Sequence, residues 1–252
     1  MLWLSAFLDR PGDSFEPAVR FWEGVTDYSR SAARGESGEF TTLVPPPSLD
    51  GDDFLRVQRL VDGPPRIHLD LHVPVPADAA ARATTLGATE LGRPDGPEGY
   101  VVLRSPGGFV FCLVSHRAAV VPAPASFPGV RRSRVYQVCL DIPAASYDAE
   151  AVFWAGLLDR SVDVLARRPE FAWLRGGSLL ALDVLLQRID EADSPVRAHL
   201  DLGTPDRAAE VARHEALGAR VLSEDAFWTV LADPAGLSYC VTDRDPASGS
   251  LV

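Results

Sequence analysis

Four short segments of the chain share one pattern of apolar and polar positions, with Leu at the fourth place and Pro at the seventh. Polar and apolar residues are interspersed along each segment, as in a β-strand that has one buried face and one polar face. The proline cannot continue a strand ladder and suits the first turn of a helix, so a helix should follow it. The pattern therefore predicts four modules, which open at Ser5–Pro11, His68–Pro74, Gln137–Pro143 and His199–Pro205.

Turn and cap residues place the remaining elements of each module. The predicted helices of the second and fourth modules run from about Asp78 to Leu86 and from Ala208 to Leu217, and each stops before a glycine that can take a positive φ. Thr204 is the predicted N-cap of the last helix. Strand pairs joined by Gly- and Pro-containing turns come next. They are Tyr100–Arg104 with Phe109–Val114, and Trp228–Leu231 with Ser238–Val241.

The first half of the chain returns in the second half. Five anchors recur in the same order, at offsets between 132 residues (Phe21 to Phe153) and 128 residues (Cys112 to Cys240). Such regular self-similarity indicates a duplicated structural unit. We predict an α+β fold with two tandem domains, at residues 1–118 and 133–246, joined by a proline-containing linker at residues 119–132.

These motifs resemble those of the vicinal oxygen chelate superfamily, which holds the glyoxalase, bleomycin-resistance and extradiol-dioxygenase proteins, and especially those of actinobacterial glyoxalase-like domains. The resemblance rests on the Phe-Trp-x-Gly helices, the Arg-x-His-Leu-Asp-Leu strands, the Leu-Gly-Ala helix ends and the hairpins that precede Cys112 and Cys240. It covers nearly the whole chain. It implies that each domain is a pair of βαβββ modules whose cupped sheet surrounds a small-molecule pocket.

The resemblance also implies four metal-ligand positions in each domain, on the first and last strands of its modules. A catalytic metal needs at least three good donors, typically histidines with carboxylates. Each domain has one histidine and no carboxylate at these positions, so we expect no metal and no other cofactor. If the alignment with the superfamily were shifted by two residues, Asp70 or Asp201 would occupy a ligand position. The eight positions are Ser5, Gln58, His68 and Val110 in the first domain and Gln137, Gln187, His199 and Ser238 in the second.

Polar residues alternate along the strand that opens the second module, so Arg66, His68, Asp70 and His72 should share one face. His68, Asp70 and His72 are candidate catalytic residues, because a carboxylate can orient an imidazole for general base catalysis. The alternative is a polar network that braces the sheet, with His72 near a sheet edge or the surface. Arg197, His199 and Asp201 repeat the pattern, and both interpretations stay open.

Cysteine and tryptophan positions complete the set of candidates. Cys112 and Cys240 are expected to be small buried side chains, since no activating base stands near them in sequence. Trp22 and Trp154 should belong to the core, whereas the side chains of Trp173 and Trp228 could form walls for an aromatic ligand. The predicted ligand-binding set is Gln58, Arg66, His68, Val110, Gln137, Gln187, His199, Asp201, Ser238, Trp173 and Trp228.

The amino-acid composition limits the kinds of partner that the protein is expected to bind. A formal net charge of −11 argues against binding to nucleic acid or to an anionic membrane surface. Three cysteines suit a reducing compartment, so we expect a cytoplasmic protein, with a homodimer as one open assembly.

The sequence predicts metal-independent binding of a small, largely apolar or aromatic molecule, for sequestration of a drug or metabolite or for an accessory role. The alternative is an enzyme. It would be either a metal-independent isomerase, lyase or cyclase that uses His68 and Asp70, or a degenerate lactoylglutathione-lyase-like enzyme. A purely structural or interaction protein is a third class.

Overall fold

The computed structural model describes residues 3–93, 99–115, 118, 120–177, 180–192 and 194–252. It confirms the four predicted modules, and each has three strands after its helix, which gives the βαβββ order that the resemblance implied. The first module consists of β1 (Trp3–Pro11), α1 (Gly12–Thr26), β2 (Ser29–Arg30), β3 (Phe40–Val44) and β4 (Leu55–Leu60). The second consists of β5 (Arg66–His72), α2 (Pro76–Thr85), β6 (Thr89–Gly92), β7 (Val101–Arg104) and β8 (Val110–Val114).

The second half of the chain repeats this order after one extra strand, β9 (Ala125–Phe127). The third module consists of β10 (Val130–Pro143), α3 (Tyr147–Leu158), β11 (Ser161–Val164), β12 (Phe171–Arg175) and β13 (Asp183–Ile189). The fourth consists of β14 (Arg197–Gly203), α4 (Arg207–Ala216), β15 (Arg220–Glu224), β16 (Trp228–Ala232) and β17 (Ser238–Thr242).

The strands form two mixed sheets among the described residues. The first sheet has the order β2-β3-β4-β1-β5-β8-β7-β6, and the second has the equivalent order β11-β12-β13-β10-β14-β17-β16-β15. In each sheet the strand that opens an even module pairs in parallel with the last strand of that module, and the pairs within the hairpins are antiparallel. This mixture of few helices with mixed sheets confirms the predicted α+β class.

Two details of the predicted elements differ from the structure. The N-cap of α4 is Asp206, whose Oδ1 accepts from the Ala209 N–H at 3.2 Å, while Thr204 Oγ1 accepts from the Asp206 N–H. α2 begins at Pro76, two residues before the predicted start, because a proline fits the first helical turn.

The predicted linker contains a strand. β9 pairs antiparallel with β10, because its three residues lie between prolines that flank the strand rather than interrupt it. The Ala123 N–H also donates to the Leu49 carbonyl at 2.8 Å. Ala119, the first residue of the predicted linker, lies outside the described residues.

The chain divides into two compact units. Unit A holds most of the second and third modules, and unit B holds most of the first and fourth. Their ranges are Met1–Ala6, His68–Ala119 and Cys139–Ala198 for unit A, and Phe7–Ile67, Val120–Val138 and His199–Val252 for unit B. The predicted domain boundaries stay a prediction.

One packing contact occurs in both units and explains two of the repeated motifs. In unit B, a Cβ on Gly24 would lie 2.9 Å from a methyl carbon of Leu217, so the Phe-Trp-x-Gly helix and the Leu-Gly-Ala helix end meet closely only because that position is glycine. The Arg213 guanidinium donates to the Gly24 carbonyl at 2.7 Å. α4 therefore packs against the last turn of α1.

Unit A has the same contact with its own residues. A Cβ on Gly156 would lie 3.0 Å from a methyl carbon of Leu86, and the Arg82 guanidinium donates to the Gly156 carbonyl. α2 therefore packs against α3, and the equivalence of these contacts accounts for the recurrence of both motifs at one spacing.

The tryptophan of each Phe-Trp-x-Gly helix is fully buried, as expected, and donates to a buried carboxylate. In unit B, Trp22 Nε1 and Arg10 Nη2 both donate to Asp233 Oδ2, at 3.0 and 2.5 Å. Arg10 and Asp233 form an ion pair between fully buried side chains. Removal of one partner from such a pair leaves an uncompensated buried charge.

In unit A the carboxylate comes from a different element, because Glu150 lies on the same helix as the tryptophan. Trp154 Nε1 donates to Glu150 Oε2 at 2.7 Å, and the Gly107 N–H donates to Oε1 at 2.5 Å. Burial raises the pKa of Glu150, and these hydrogen bonds offset only part of that effect. No arginine ion pair to Glu150 occurs among the described salt bridges.

A second polar cluster lies in the core of unit B. His214 is fully buried, with Nδ1 3.0 Å from the Tyr239 hydroxyl and Nε2 3.1 Å from Glu210 Oε1. The Arg213 guanidinium lies 2.8 Å from the same carboxylate oxygen. Burial alone would raise the pKa of Glu210, but the hydrogen bonds from Arg213 and His214 lower it to about 2. Burial lowers the pKa of His214.

No helix of the described segments has the length and apolar character that crossing a membrane requires.

We predict that Asp233→Asn lowers the free energy of unfolding by about 3 kcal/mol, because the buried guanidinium of Arg10 loses its counter-charge. Glu150→Gln is the matched variant, and its cost should be clearly smaller, since burial already disfavours the charged form of that carboxyl. Urea denaturation of the two variants at pH 7 measures both costs. Equal costs would contradict the assignment.

We also predict a loss of stability in acid that depends on Glu210. The pKa of Glu210 in the folded state, about 2, lies below its usual value, so the unfolded chain takes up the proton first. The contribution is therefore present above pH 4.5 and is lost as the pH falls towards 2. Urea unfolding across this range should give a flatter curve for Glu210→Gln. The Glu215→Gln control, an exposed position on the same helix, should leave the curve unchanged.

Candidate functional site

In unit A, strand β5 places its polar residues on one face, as predicted. Leu69 and Leu71 point the other way and are each 1% exposed. His68 Nε2 lies 3.9 Å from Asp70 Oδ1. The parallel register of β5 and β8 sets Asp70 beside Cys112. One ligand atom each from His68, Asp70 and Cys112 lies within 4.8 Å of the others.

His72 lies at the far end of the same strand and is fully buried. Its Nε2 is 3.0 Å from Ser5 Oγ. The expectation of an edge or near-surface histidine was therefore wrong, because β1 is the sheet neighbour of β5 and covers this position. Two residues predicted for different roles, Ser5 as a metal-ligand position and His72 as a catalytic candidate, thus bind each other.

Unit B repeats the trio with closer contacts. His199 Nε2 lies 3.5 Å from Asp201 Oδ1, and the register of β14 and β17 sets Asp201 beside Cys240. The Gln137 amide also donates to the Asp201 carboxylate. Burial raises the pKa of Cys240 to about 11, although the nearby His199 acts in the opposite direction. At neutral pH the thiol is protonated, which makes it a poor nucleophile.

The arginine before each trio makes an ion pair within its own unit. Arg66 Nε lies 3.0 Å from Asp9 Oδ2 in unit B, and Arg197 Nε lies 3.6 Å from Asp141 Oδ2 in unit A. Both aspartates follow the leucine of a module-opening strand, so the repeat contained the signal for this pair. Arg66, which was predicted for ligand binding, has a buried carboxylate as its partner.

The other predicted ligand-binding residues lie at strand positions of varied exposure. Gln58 is half-buried opposite Phe40, and Val110 is half-buried one residue before Phe111 on β8. Gln187 Oε1 accepts from the Cys139 thiol at 3.7 Å. Ser238 is exposed at the start of β17.

The two tryptophans predicted as pocket walls differ in their surroundings. Trp173, in unit A, is 5% exposed, and the Arg175 guanidinium carbon lies 4.3 Å from its ring centroid. Trp228, in unit B, is half-buried and follows Phe227, which is 50% exposed. Unit B therefore offers open aromatic surface here, whereas the Trp173 ring carries an arginine on one side.

Comparison with solved structures identifies the fold. The Mn(II)-bound glyoxalase from Novosphingobium aromaticivorans is similar with a TM-score of 0.63 at 14% identity, over 94% of this chain and 80% of that one. The 2,2',3-trihydroxybiphenyl 1,2-dioxygenase from Sphingomonas wittichii gives 0.62 at 15% identity, over 94% and 88%. An extradiol ring-cleaving dioxygenase from B. fuscum gives 0.61 at 15% identity, over 100% and 75%. No curated protein matches the chain in sequence.

The match to a glyoxalase-like family model, with four βαβββ modules in two mixed sheets, makes this a protein of the vicinal oxygen chelate superfamily, as the motifs indicated. Within it the chain belongs to the family of the glyoxalase-like domain, whose model matches residues 6–114 and again residues 137–242. The chain therefore carries two copies of that domain in tandem.

The metal that the superfamily implies does not fit the residues at its usual positions. Val110 has no donor atom, and the oxygens of Ser5 and Gln187 already bind His72 and the Cys139 thiol. Gln137 donates to Asp201 through its amide nitrogen, while its Oε1 is buried with no hydrogen-bond partner among the described residues. Neutral amides and hydroxyls are also weak ligands for transition metals. The His-Asp-Cys trios form a different donor set, whose ligand atoms in each unit lie within 4.8 Å of one another.

Reasoning from sequence placed the cysteines as buried apolar side chains and missed their position beside the His-Asp pairs. The signal was present, since Cys112 and Cys240 recur on the strand that closes each even module. A parallel pairing of the first and last strands of a module would have brought them to Asp70 and Asp201.

We predict that the trio thiols differ in reactivity. At pH 8 iodoacetamide should modify Cys240 at least about 100-fold more slowly than an ordinary thiol, because a pKa of about 11 leaves little thiolate. Cys112, which is half-buried, should react faster. Variants that retain a single cysteine, followed by mass spectrometry, measure each rate, with urea-unfolded protein as the control. Faster modification of Cys240 than of Cys112 would contradict the prediction.

Proposed function

We propose that the protein binds a small, largely apolar or aromatic molecule without a catalytic metal, and so serves in sequestration or in an accessory step of metabolite handling. The observation that carries this proposal is the donor set at the superfamily's metal positions. The oxygens of Ser5 and Gln187 already bind protein neighbours, Val110 has no ligand atom, and Gln137 offers only a neutral amide oxygen. A site of this composition favours recognition over metal-assisted chemistry.

The surroundings of each trio support a ligand of mixed character. The side chains of His68 and Asp70 are 11% and 8% exposed. Most of their surface is therefore out of contact with solvent, and the exposed part can form one polar contact with a ligand. In unit B the open surface of Phe227 beside Trp228 suits a flat ring. The name of one structural neighbour denotes a biphenyl substrate, and an aromatic ligand for this chain would be of the same class.

The second candidate is a metal-independent isomerase, lyase or cyclase. The separation of 3.9 Å between His68 Nε2 and Asp70 Oδ1 favours it, because the carboxylate can orient the imidazole. His68 would then take a proton from a substrate carbon, and Asp70 would hold the ring. A degenerate lactoylglutathione-lyase-like enzyme is the related alternative, in line with the glyoxalase among the neighbours.

The proposed setting is the cytoplasm, with a small molecule as the partner and neither nucleic acid nor membrane, as a monomer or a homodimer. None of the three cysteines, all of which are described, forms a disulfide, which suits a reducing compartment.

Metal analysis of protein purified without an affinity tag tests the proposal first. We expect less than about 0.1 equivalent of any transition metal per chain after dialysis against equimolar Zn²⁺ or Mn²⁺, because the usual positions lack donors. Cys112→Ser with Cys240→Ser is the matched variant. A stoichiometric ion that this variant loses would assign a metal to the trios and overturn the metal-free proposal.

Titration with a panel of aromatic compounds, followed by tryptophan fluorescence, then separates binding from catalysis. Under the proposal at least one compound saturates, and no member of the panel is converted. His68→Ala should change the affinity for that compound, and no turnover should exist for it to abolish. Arg188→Ala, on another strand, is the control. A turnover that disappears in His68→Ala would establish the enzyme instead.

A further inference from the structure

A cavity of about 370 Å³ lies at the end of β12 in unit A. Its lining is unusually charged for its size: two arginines, Arg160 and Arg175, and one aspartate, Asp183, with two leucines and the Gly176-Gly177 pair. Among the lining residues two guanidiniums face one carboxylate, and the second carboxylate near them, Asp163, is 65% exposed and lies outside the lining. None of the lining residues belongs to the ligand-binding set predicted from sequence.

The first arginine is held by the backbone around it. Arg160 follows α3 directly after Asp159, which takes a left-handed conformation with φ 55°. Its Nη1 donates to the Leu174 carbonyl at 3.2 Å. A Cβ on Gly177 would lie 3.5 Å from Arg160 Nε, which is an ordinary contact distance, so this glycine packs beside the guanidinium.

The second arginine is oriented by an aromatic ring. The Arg175 guanidinium carbon lies 4.3 Å from the centroid of Trp173, and its Nε is 3.9 Å from Asp163. The Arg175 side chain is 51% exposed, so it keeps donors available at the mouth of the cavity. Burial lowers the pKa of Arg160, Asp183 opposes that effect, and the positive charge of Arg175 adds to it.

The first module shows which side chains occupy the equivalent position when no charged residue is there. By the repeat, Tyr28 corresponds to Arg160, since each follows an aspartate with positive φ, and Phe54 corresponds to Asp183, four residues before the paired Gln58 and Gln187. The Tyr28 and Phe54 rings meet edge to face at 6.1 Å and are buried. Two aromatic rings therefore fill this position in the first module, so the fold does not require the charged cavity of the third module.

We propose that this cavity binds a small organic anion, with its carboxylate or phosphate group between Arg160 and Arg175. Guanidinium groups bind both kinds of oxyanion through paired hydrogen bonds. The volume lies at the lower end of the range for small-molecule sites, which suits a ligand of about the size of a benzoate. The anion adds a negative charge inside a lining whose one carboxylate is Asp183.

Isothermal titration with benzoate, phenyl phosphate and the neutral isostere benzamide tests the proposal. We expect saturable binding of benzoate or phenyl phosphate at low ionic strength, and no binding of benzamide. The comparison of benzoate with phenyl phosphate distinguishes a carboxylate site from a phosphate site. Arg175→Ala should weaken binding by about tenfold or more, because it removes one charge-assisted pair.

Two further variants decide the location. Arg160→Tyr combined with Asp183→Phe transfers the filling of the first module into the cavity and should abolish binding while the far-ultraviolet circular dichroism stays unchanged. Arg188→Ala removes a positive charge that stacks on Tyr147, outside the cavity, and should leave the affinity unchanged. Binding of benzamide as tight as that of benzoate, equal losses in Arg188→Ala and Arg175→Ala, or no saturable binding of either anion would overturn the proposal.

Discussion

The architecture depends on one close contact between helices, in which a leucine at the end of an even-module helix rests on a glycine of an odd-module helix. Gly24 receives Leu217 and Gly156 receives Leu86, and in both cases an added Cβ would come within about 3 Å of the leucine methyls. An arginine one turn earlier secures the contact by donating to the glycine carbonyl. This approach lets the adjacent tryptophan reach the core of its unit, where its N–H finds a carboxylate.

Much of the fold could be predicted because its signals are local and repeated. A Leu-Gly pair ends a helix through the conformational freedom of glycine, and both such ends lie where they were expected, at Gly87 and Gly218. The true cap of α4 was missed, because Thr204 and Asp206 are both good caps by residue type and only the local geometry selects between them. β9 was missed because prolines beside a three-residue strand look the same in sequence as prolines in a linker.

The candidate site was only partly predictable, since contacts across strands depend on register. Alternation placed His68 and Asp70 on one face correctly, because that relation lies within a single strand. Sequence could not bring Ser5 to His72, nor Cys240 to Asp201, since each contact needs the order and register of two strands. The charged cavity of the third module was missed for another reason. It occurs at positions where the repeats differ, and its residues come from separate elements, the end of one helix and two later strands.

The two buried carboxylates have a consequence for how the halves of the chain can assemble. By the repeat, Ser105 stands where Asp233 does, and Ala18 stands where Glu150 does. A first half that paired with a second copy of itself would set Trp22 and Arg10 against a serine in place of Asp233. A self-paired second half would crowd Glu150 and Asp233 around one tryptophan. At these two buried positions the duplicated halves are therefore complementary rather than interchangeable.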